Sequence, residues 1–560
     1  MVSSRSAIYY SATACSMLFL LLSLAVNANA QSNSTSIADD CAALRTVADL
    51  TITFAELREN TEADQPYCYV RGIIAPAIHF HAQLPLPANW NGRFLQWGDG
   101  GKDGDLDFAN HRVAEGYAVT NSNTGHDSAT EPGSAFGFNN RQSEIDFGYR
   151  AIHLTTLAGK ALVNHYYERP AQYSYFEGCS TGGRQGLMEA QRFPDDFDGI
   201  VAGAPVNFYQ AMNAAGVWHL QQFAKDDYAG NLAVDADGDG NRENVELVSI
   251  LNRVVLEKCD ATDGIRDGVI DDALACAIDP AVDLADYQCA NSLSNTDADA
   301  SSCFTDSQIQ AVTNFYRGPV DTAGNSIYPG KLPGSELDWI NLFMPTARNG
   351  MTPGMLSGPA GDHVNYLFYE ADPGVTIPDL ANIHYQARRS GMNPEYHWLA
   401  FDIQDFADGK AQLMSSIMDA TDPDLSSFLK DRGGKLIVYH GLTDALSVAR
   451  ATEDYFTAMV DTTFAGSFSA ANEHARLFLA PGMGHCGGGP GPNTWDKLLP
   501  LVDWVENGVA PATIKASHSS NGVVDNERLL CPFPQRARYS GPARGENDPA
   551  NWIATNFQCQ

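Results

Sequence analysis

Hydrophobic and polar positions along the chain fall into two regimes. From Val70 to Phe208, and again from Lys435 onward, short apolar runs alternate with longer amphipathic stretches. Val70–Leu86 (VRGIIAPAIHFHAQLPL), Arg93–Trp97 (RFLQW), Gly116–Asn121 (GYAVTN), Tyr173–Glu177, Lys435–Tyr439 (KLIVY) and Arg476–Ala480 (RLFLA) read as strands. Asp146–Tyr166 reads as a helix, with Ile152, Leu154, Leu157, Ala158 and Leu162 on one face. Arg184–Phe193 reads as another. Between residues 207 and 430 this rhythm stops, and Asp, Asn, Gly and Ser dominate. A strand that resumes at Lys435 argues for an insertion into one fold rather than a trailing domain. The pattern therefore predicts an α/β protein whose sheet domain comes in two pieces, 31–206 and 431–560, with an inserted domain over 207–430. A length of 560 residues is more than one core usually supports, which agrees with two domains.

The strand Tyr173–Glu177 runs into Gly178-Cys179-Ser180-Thr181-Gly182 and then into a helix. Strand, G-x-S-x-G, helix is the nucleophile elbow of an α/β-hydrolase. A tight turn flanked by glycines pushes the serine hydroxyl out of the backbone. It also aims the next N–H, that of Thr181, at the oxygen that becomes negative in the transition state. The glycine-rich loop Gly98–Gly104 follows an early strand, where this fold places its second oxyanion donor; Gly101 is the candidate. KLIVY ends in His440-Gly441-Leu442-Thr443-Asp444, an acid just past a buried strand. RLFLA ends in Pro481-Gly482-Met483-Gly484-His485-Cys486. Ser180, Asp444, His485 is the chain order of an α/β-hydrolase triad, with Asp454 and Asp461 as the alternative acids. His79 and His81 alternate with Ile78 and Phe80, a spacing that can hold a metal, but no third ligand is near them in sequence.

The stretch GCSTGGRQGLMEAQRFPDDFDGIVAGAP resembles the tannase/feruloyl esterase family, in which a cysteine directly precedes the nucleophilic serine. That family carries a His-Cys pair near the C-terminus, matched here by His485-Cys486. The resemblance implies an α/β-hydrolase fold with a large inserted lid. It also implies a secreted serine carboxylic-ester hydrolase that cleaves small aromatic acyl esters of feruloyl, galloyl or terephthalate monoester type. Asn123–Asp127 resembles a stretch the family places beside the active site, where His126 either touches substrate or packs. Aromatic stretches such as Tyr396–Phe406 are candidates for the acyl pocket. A secreted serine peptidase on the same fold, or a non-catalytic calcium-dependent binding protein, are the alternatives.

Cys259–Ile270 (CDATDGIRDGVI) sets Asp260, Asp263 and Asp267 close together. Carboxylates so placed repel one another unless a cation neutralises them, and hard oxygen ligands suit calcium. The family carries calcium on a matching D-x-x-D-G-x-x-D-G pattern. By that resemblance Asp260, Asp263 and Asp267 ligate through side chains, and Ile265 and Val269 through carbonyls. Asp235–Glu246 (DADGDGNRENVE) has EF-hand spacing, with Arg242 at a position usually apolar.

A formal net charge of −33 repels nucleic acid and anionic membranes, so neither is an expected partner. Residues 1–30 read as a signal peptide: an apolar run at Met17–Val26, then Ala28-Asn29-Ala30 as a cleavage site. An exported protein, periplasmic or extracellular, is expected. Setting aside Cys15 in that segment leaves ten of the 11 cysteines, an even number that favours five disulfides. Cys179 adjoins Ser180 and Cys486 adjoins His485. Bringing serine and imidazole within hydrogen-bond reach brings these two cysteines within bridging reach as well. The others are expected to pair locally: Cys41 with Cys68, Cys259 with Cys276, Cys289 with Cys303, and Cys531 with Cys559.

Overall fold

Nine strands build the central sheet: β1 (Thr51–Arg58), β2 (Tyr67–Ile74), β3 (Ile78–Pro85), β4 (Arg93–Trp97), β5 (Ala118–Ser122), β6 (Tyr173–Cys179), β7 (Gly199–Gly203), β8 (Lys435–Gly441) and β9 (Ala475–Ala480). They belong to a computed structural model that describes residues 37–235, 242–289, 302–346, 363–368, 401–542 and 547–560. The order across the sheet is β1-β2-β3-β5-β4-β6-β7-β8-β9. β1, β2, β3 and β5 pair antiparallel in succession, and from β5 onward every pair is parallel. This is an α/β-hydrolase sheet. Val70–Leu86, which reads as one strand, is two: β2 and β3 pair from Ile74↔Ile78 to Tyr67↔Pro85. Pro76 sits in the turn between them, where its missing N–H costs no ladder bond.

The parallel strands read as unbroken apolar runs because both faces are covered. Phe94, Phe176, Ile200 and Leu436 enter one core, while their chain neighbours Leu95, Tyr175, Val201 and Ile437 enter the other. The helices Ala151–Tyr166, Thr181–Arg192 and Ala449–Phe464 cover the first face, and Leu499–Asn507 covers the second. On Ala151–Tyr166 the residues Ile152, Ala158 and Leu162 are buried as the spacing expects, but Leu154 is only half-buried. Leu157 is 45% exposed, while Thr155, Thr156 and Gly159 are buried. A Cβ on Gly159 would lie 2.6 Å from Thr120 and 2.7 Å from Phe94. At Gly159 the helix sits too close to the sheet for a side chain.

The chain leaves the sheet at Gly203 and returns at Lys435, where β8 pairs directly with β7. The described residues in between include several helices. Tyr209–Tyr228 breaks from helical geometry at Lys225–Asp227; Glu246–Cys259, Asp306–Arg317 and Glu336–Leu342 follow. Phe223, Phe315, Trp339 and Phe343 pack together among them. The C-terminal residues add two hairpin-like pairs, β10 (Ile514–Ser520) with β11 (Val523–Leu530), and β12 (Ala537–Tyr539) with β13 (Phe557–Cys559). Among the described residues no helix is long and apolar enough to cross a membrane.

Candidate active site

β6 ends at Cys179, and the helix Thr181–Arg192 begins directly after Ser180. The whole turn is one residue, so Ser180 takes φ 64° and ψ −120°, a strained conformation for a residue with a Cβ. The flanking glycines make room for it. A Cβ on Gly178 would lie 2.8 Å from Gly182 Cα, and one on Gly182 would lie 2.8 Å from the Asp99 carbonyl oxygen. The hydroxyl that results points at His485, with Oγ 2.8 Å from Nε2.

His485 Nδ1 is 2.7 Å from Asp444 Oδ2. The carboxylate can only accept, so Nδ1 carries the hydrogen and Nε2 presents its lone pair to the Ser180 hydroxyl. Asp444 is fully buried just beyond β8. Its Oδ1 accepts from the N–H groups of Leu446 at 2.8 Å and Ser447 at 3.0 Å. Its Oδ2 also faces Ser447 Oγ at 3.1 Å and His440 Nε2 at 3.1 Å. Burial alone would raise this carboxyl, but the His485 charge and the imidazole hydrogen bonds outweigh it and hold Asp444 below the usual carboxylate range. Burial likewise works to lower His485, yet the Asp444 charge prevails and its pKa lies above the ordinary value. The alternative acids Asp454 and Asp461 sit exposed on the helix Ala449–Phe464.

The loop after β4 is bolted to the elbow. Gly182 N–H donates to the Asp99 carbonyl at 2.7 Å, and Thr181 Oγ1 donates to the Gly101 carbonyl at 2.6 Å. Gln185 Oε1 accepts from Asp99 N–H at 3.0 Å. Gly101 has φ 63°. Among the described residues the N–H groups of Thr181 and Gly101 have no backbone partner. Lys102 next to it donates to Tyr209 Oη at 3.0 Å and lies 3.1 Å from His363 Nδ1, so the loop also touches the insertion.

Five disulfides are present: Cys41–Cys68, Cys179–Cys486, Cys259–Cys276, Cys289–Cys303 and Cys531–Cys559. The Cys179–Cys486 bridge spans 5.9 Å between Cα atoms and ties the elbow to the His485 loop. Asp338, on the inserted helix Glu336–Leu342, adds a carboxylate whose charge acts on His485. Nothing in the sequence singles out Asp338, which lies far from His485 along the chain. His440 and Ser447 did carry a signal, since both flank Asp444 at the end of a core strand.

His126 packs. It is buried and stacks on Phe136 with ring centroids 4.1 Å apart, and burial lowers its pKa to about 4. His81 is buried with Nε2 2.9 Å from the Asp107 carbonyl, while His79 is exposed, and among the described residues they form no metal-ligating group with a third residue.

The acidic loop is ordered differently. Asp260 accepts from Asp267 N–H at 3.3 Å and Gly268 N–H at 3.2 Å; Asp263 Oδ1 accepts from Ile265 N–H at 3.1 Å. Asp267 Oδ2 takes Arg528 Nη2 at 2.6 Å, and Asp271 takes Arg528 Nε at 3.1 Å. Asp263 Oδ2 is buried without a hydrogen-bond partner, 3.6 Å from the same guanidinium. Asp263, Asp267 and Asp271 thus face one arginine. Burial, with the Asp271 charge adding, pushes the Asp263 carboxyl up to about 9. Among the described residues no backbone N–H donates to the carbonyls of Ile265 or Val269. An orphan carboxylate oxygen, surplus negative charge and two open carbonyls fit a hard divalent cation. The interior of the second acidic loop, with Asp237, Asp239 and Gly240, lies outside the described residues, as do residues 1–36 and 396–400.

The chain matches the family described as "Tannase and feruloyl esterase" over residues 65–559. It is 34% identical over 539 residues to the mono(2-hydroxyethyl) terephthalate hydrolase of Piscinibacter sakaiensis, covering 90% of this chain and 86% of that protein. It is 31% identical over 500 residues to feruloyl esterase B of Aspergillus niger, covering 85% and 83%. The crystal structure of feruloyl esterase B from Aspergillus oryzae superposes with a TM-score of 0.74 at 25% identity, covering 94% of this chain and 100% of that one. With the elbow, the imidazole and the buried acid already in line, these likenesses place the chain in the tannase and feruloyl esterase family, as a carboxylic ester hydrolase of the α/β-hydrolase fold.

Proposed function

We propose that the chain hydrolyses esters of small aromatic carboxylic acids through Ser180, His485 and Asp444. The observation that carries this reading is the unbroken chain of contacts from Ser180 Oγ through His485 to Asp444. Ser180 Oγ attacks the ester carbonyl carbon while its proton passes to His485 Nε2. Asp444 holds the imidazole in the required tautomer and stabilises its charged form. The tetrahedral oxyanion is held by the N–H groups of Thr181 and Gly101, whose lack of other partners supports the assignment. The intermediate collapses, the alcohol leaves with the proton from His485, and water then releases the acid by the same steps in reverse. The aromatic acyl group is supported by the names of the relatives, a terephthalate monoester hydrolase and feruloyl esterases.

Calcium is the second part of the reading, as a structural ion rather than a reactant. Asp260, Asp263 and Asp267 would hold it through carboxylates and Ile265 and Val269 through carbonyls, and it would supply the positive charge this loop lacks. Export to an oxidising compartment is supported by the five disulfides.

The test is a panel of methyl hydroxycinnamates, methyl gallate, mono(2-hydroxyethyl) terephthalate and short peptides, run with the parent chain and Ser180→Ala. Aromatic esters should be turned over by the parent alone. Peptide cleavage without ester cleavage, or near-normal turnover by folded Ser180→Ala, would sink the proposal.

A further inference from the structure

The acid of the triad carries a second imidazole. His440, the penultimate residue of β8, is fully buried four positions before Asp444. Its Nε2 lies 2.9 Å from the Ser447 carbonyl oxygen and 3.1 Å from Asp444 Oδ2. Both are acceptors, so Nε2 must carry a hydrogen. Its Nδ1 lies 2.8 Å from Thr452 Oγ1, on the helix Ala449–Phe464. A hydroxyl can pair with that nitrogen, which pins the ring at both edges. A ring so held has one orientation, and that orientation points Nε2–H at the oxygen that also receives His485.

The consequence for Asp444 follows from counting donors. Oδ1 is taken by two backbone N–H groups, which fix the carboxylate plane. Oδ2 is shared by His485 Nδ1, Ser447 Oγ and His440 Nε2. Each donor added to Oδ2 spreads its charge and weakens its pull on the His485 hydrogen. The other titratable groups whose charges act on this pair are Asp338, Lys331 and Tyr328, from the inserted region. Among the described residues none of those three hydrogen-bonds to Asp444; Tyr328 Oη accepts from Val448 N–H at 3.3 Å. His440 is therefore the titratable neighbour other than His485 that touches the carboxylate.

We propose that His440 is a positioning residue of the triad, whose Nε2–H, shared between Asp444 Oδ2 and Ser447 O, aims the carboxylate at His485 and moderates its hold on the catalytic proton. The inference rests on the triad assigned above. It extends the working unit to a chain of five side chains: Thr452, His440, Asp444, His485, Ser180.

The experiment compares His440→Ala, His440→Gln and Thr452→Val with the parent on the best ester of the panel, measuring kcat and KM across the pH range of activity. Loss of one hydrogen bond to a buried charge should cut kcat about 10-fold in His440→Ala, with KM moving less than about twofold. The acid limb of kcat/KM should move to higher pH by about half a unit, because a less satisfied Asp444 binds the imidazolium more tightly. His440→Gln, which keeps an N–H donor, should recover most of the rate and most of the limb. Thr452→Val should move the limb in the same direction by less, since it frees only the far edge of the ring. A folded His440→Ala with the parental kcat and acid limb overturns the proposal, as does a loss confined to KM or to melting temperature. If His440→Ala fails to fold, a parental acid limb in Thr452→Val, without any loss in kcat, overturns it equally. Asp444→Asn separates the two levels. If that variant is inactive while the His440 variants behave as the parent, only this inference fails; if it stays active, the triad itself fails.

Discussion

Two buried aspartates on this chain live under opposite conditions. Asp444 is surrounded by donors: two backbone N–H groups, a hydroxyl and two imidazoles. Asp263 gets one backbone N–H for Oδ1, and its Oδ2 is left without a partner beside an arginine claimed by Asp267 and Asp271. Burial is the largest influence on both, and it pushes both carboxyls upward. The donors reverse it for Asp444 and fail to reverse it for Asp263. The difference teaches which carboxylate is finished. Asp444 is complete as a working anion, whereas Asp263 needs a proton or a cation from outside the chain.

The largest test of that contrast is Asp444→Asn. The amide puts a donor where His485 Nδ1–H needs an acceptor, so kcat should fall by about 10⁴. A loss below about tenfold would mean that Asp444 is not the orienting acid. Next comes Cys179→Ala with Cys486→Ala. Removing the bridge frees the His485 loop from the elbow and should lower both the melting temperature and the turnover number. Unchanged turnover in the double variant would show that the sheet alone aligns the triad.

The pH dependence of stability sharpens the other side. The Asp263 carboxyl is raised to about 9, so the folded state holds a proton there that the unfolded state releases near the ordinary carboxylate range. Between those values the native state binds more protons than the unfolded one, and stability must fall as pH rises. In chelator the melting temperature should therefore decline from mildly acidic to mildly alkaline pH, and added calcium should flatten that decline. Identical curves with and without calcium would remove the ion from the loop. The smallest expected effect is at the exposed acids Asp454 and Asp461. Their Asn variants should match the parent in rate and melting temperature, and a rate loss at either would reopen the choice of acid.

What was legible beforehand follows from the range over which each signal acts. G-x-S-x-G is a local shape, and the φ of 64° at Ser180 is the strain that its glycines accommodate. His485 and Asp444 were legible because each lies in the loop just after a core strand. Leu154 and Leu157 misled because spacing says which residues share a face and not how near the next layer stands. At Gly159 that layer is almost in contact. The turn at Pro76 hid inside an apolar run that two antiparallel strands share. Asp338 and Arg528 could not be found at all from spacing, since each meets its partners only after distant segments have folded together.

The long stretch of chain between β7 and β8, neighbours in the sheet, has a temporal meaning. A growing chain completes its elbow long before Asp444 and His485 exist, and the whole insertion must be made in between. Because β8 docks directly on β7, the acid and the base reach the serine only when the late strands add to an edge that has been waiting open. With the proposed triad, hydrolysis would then be a property of the finished chain alone: a truncated or half-folded copy would hold a nucleophile with nothing to take its proton. Activity measured in solution would thus count completed molecules, and its recovery after denaturation would report the closing of the sheet rather than the forming of the elbow.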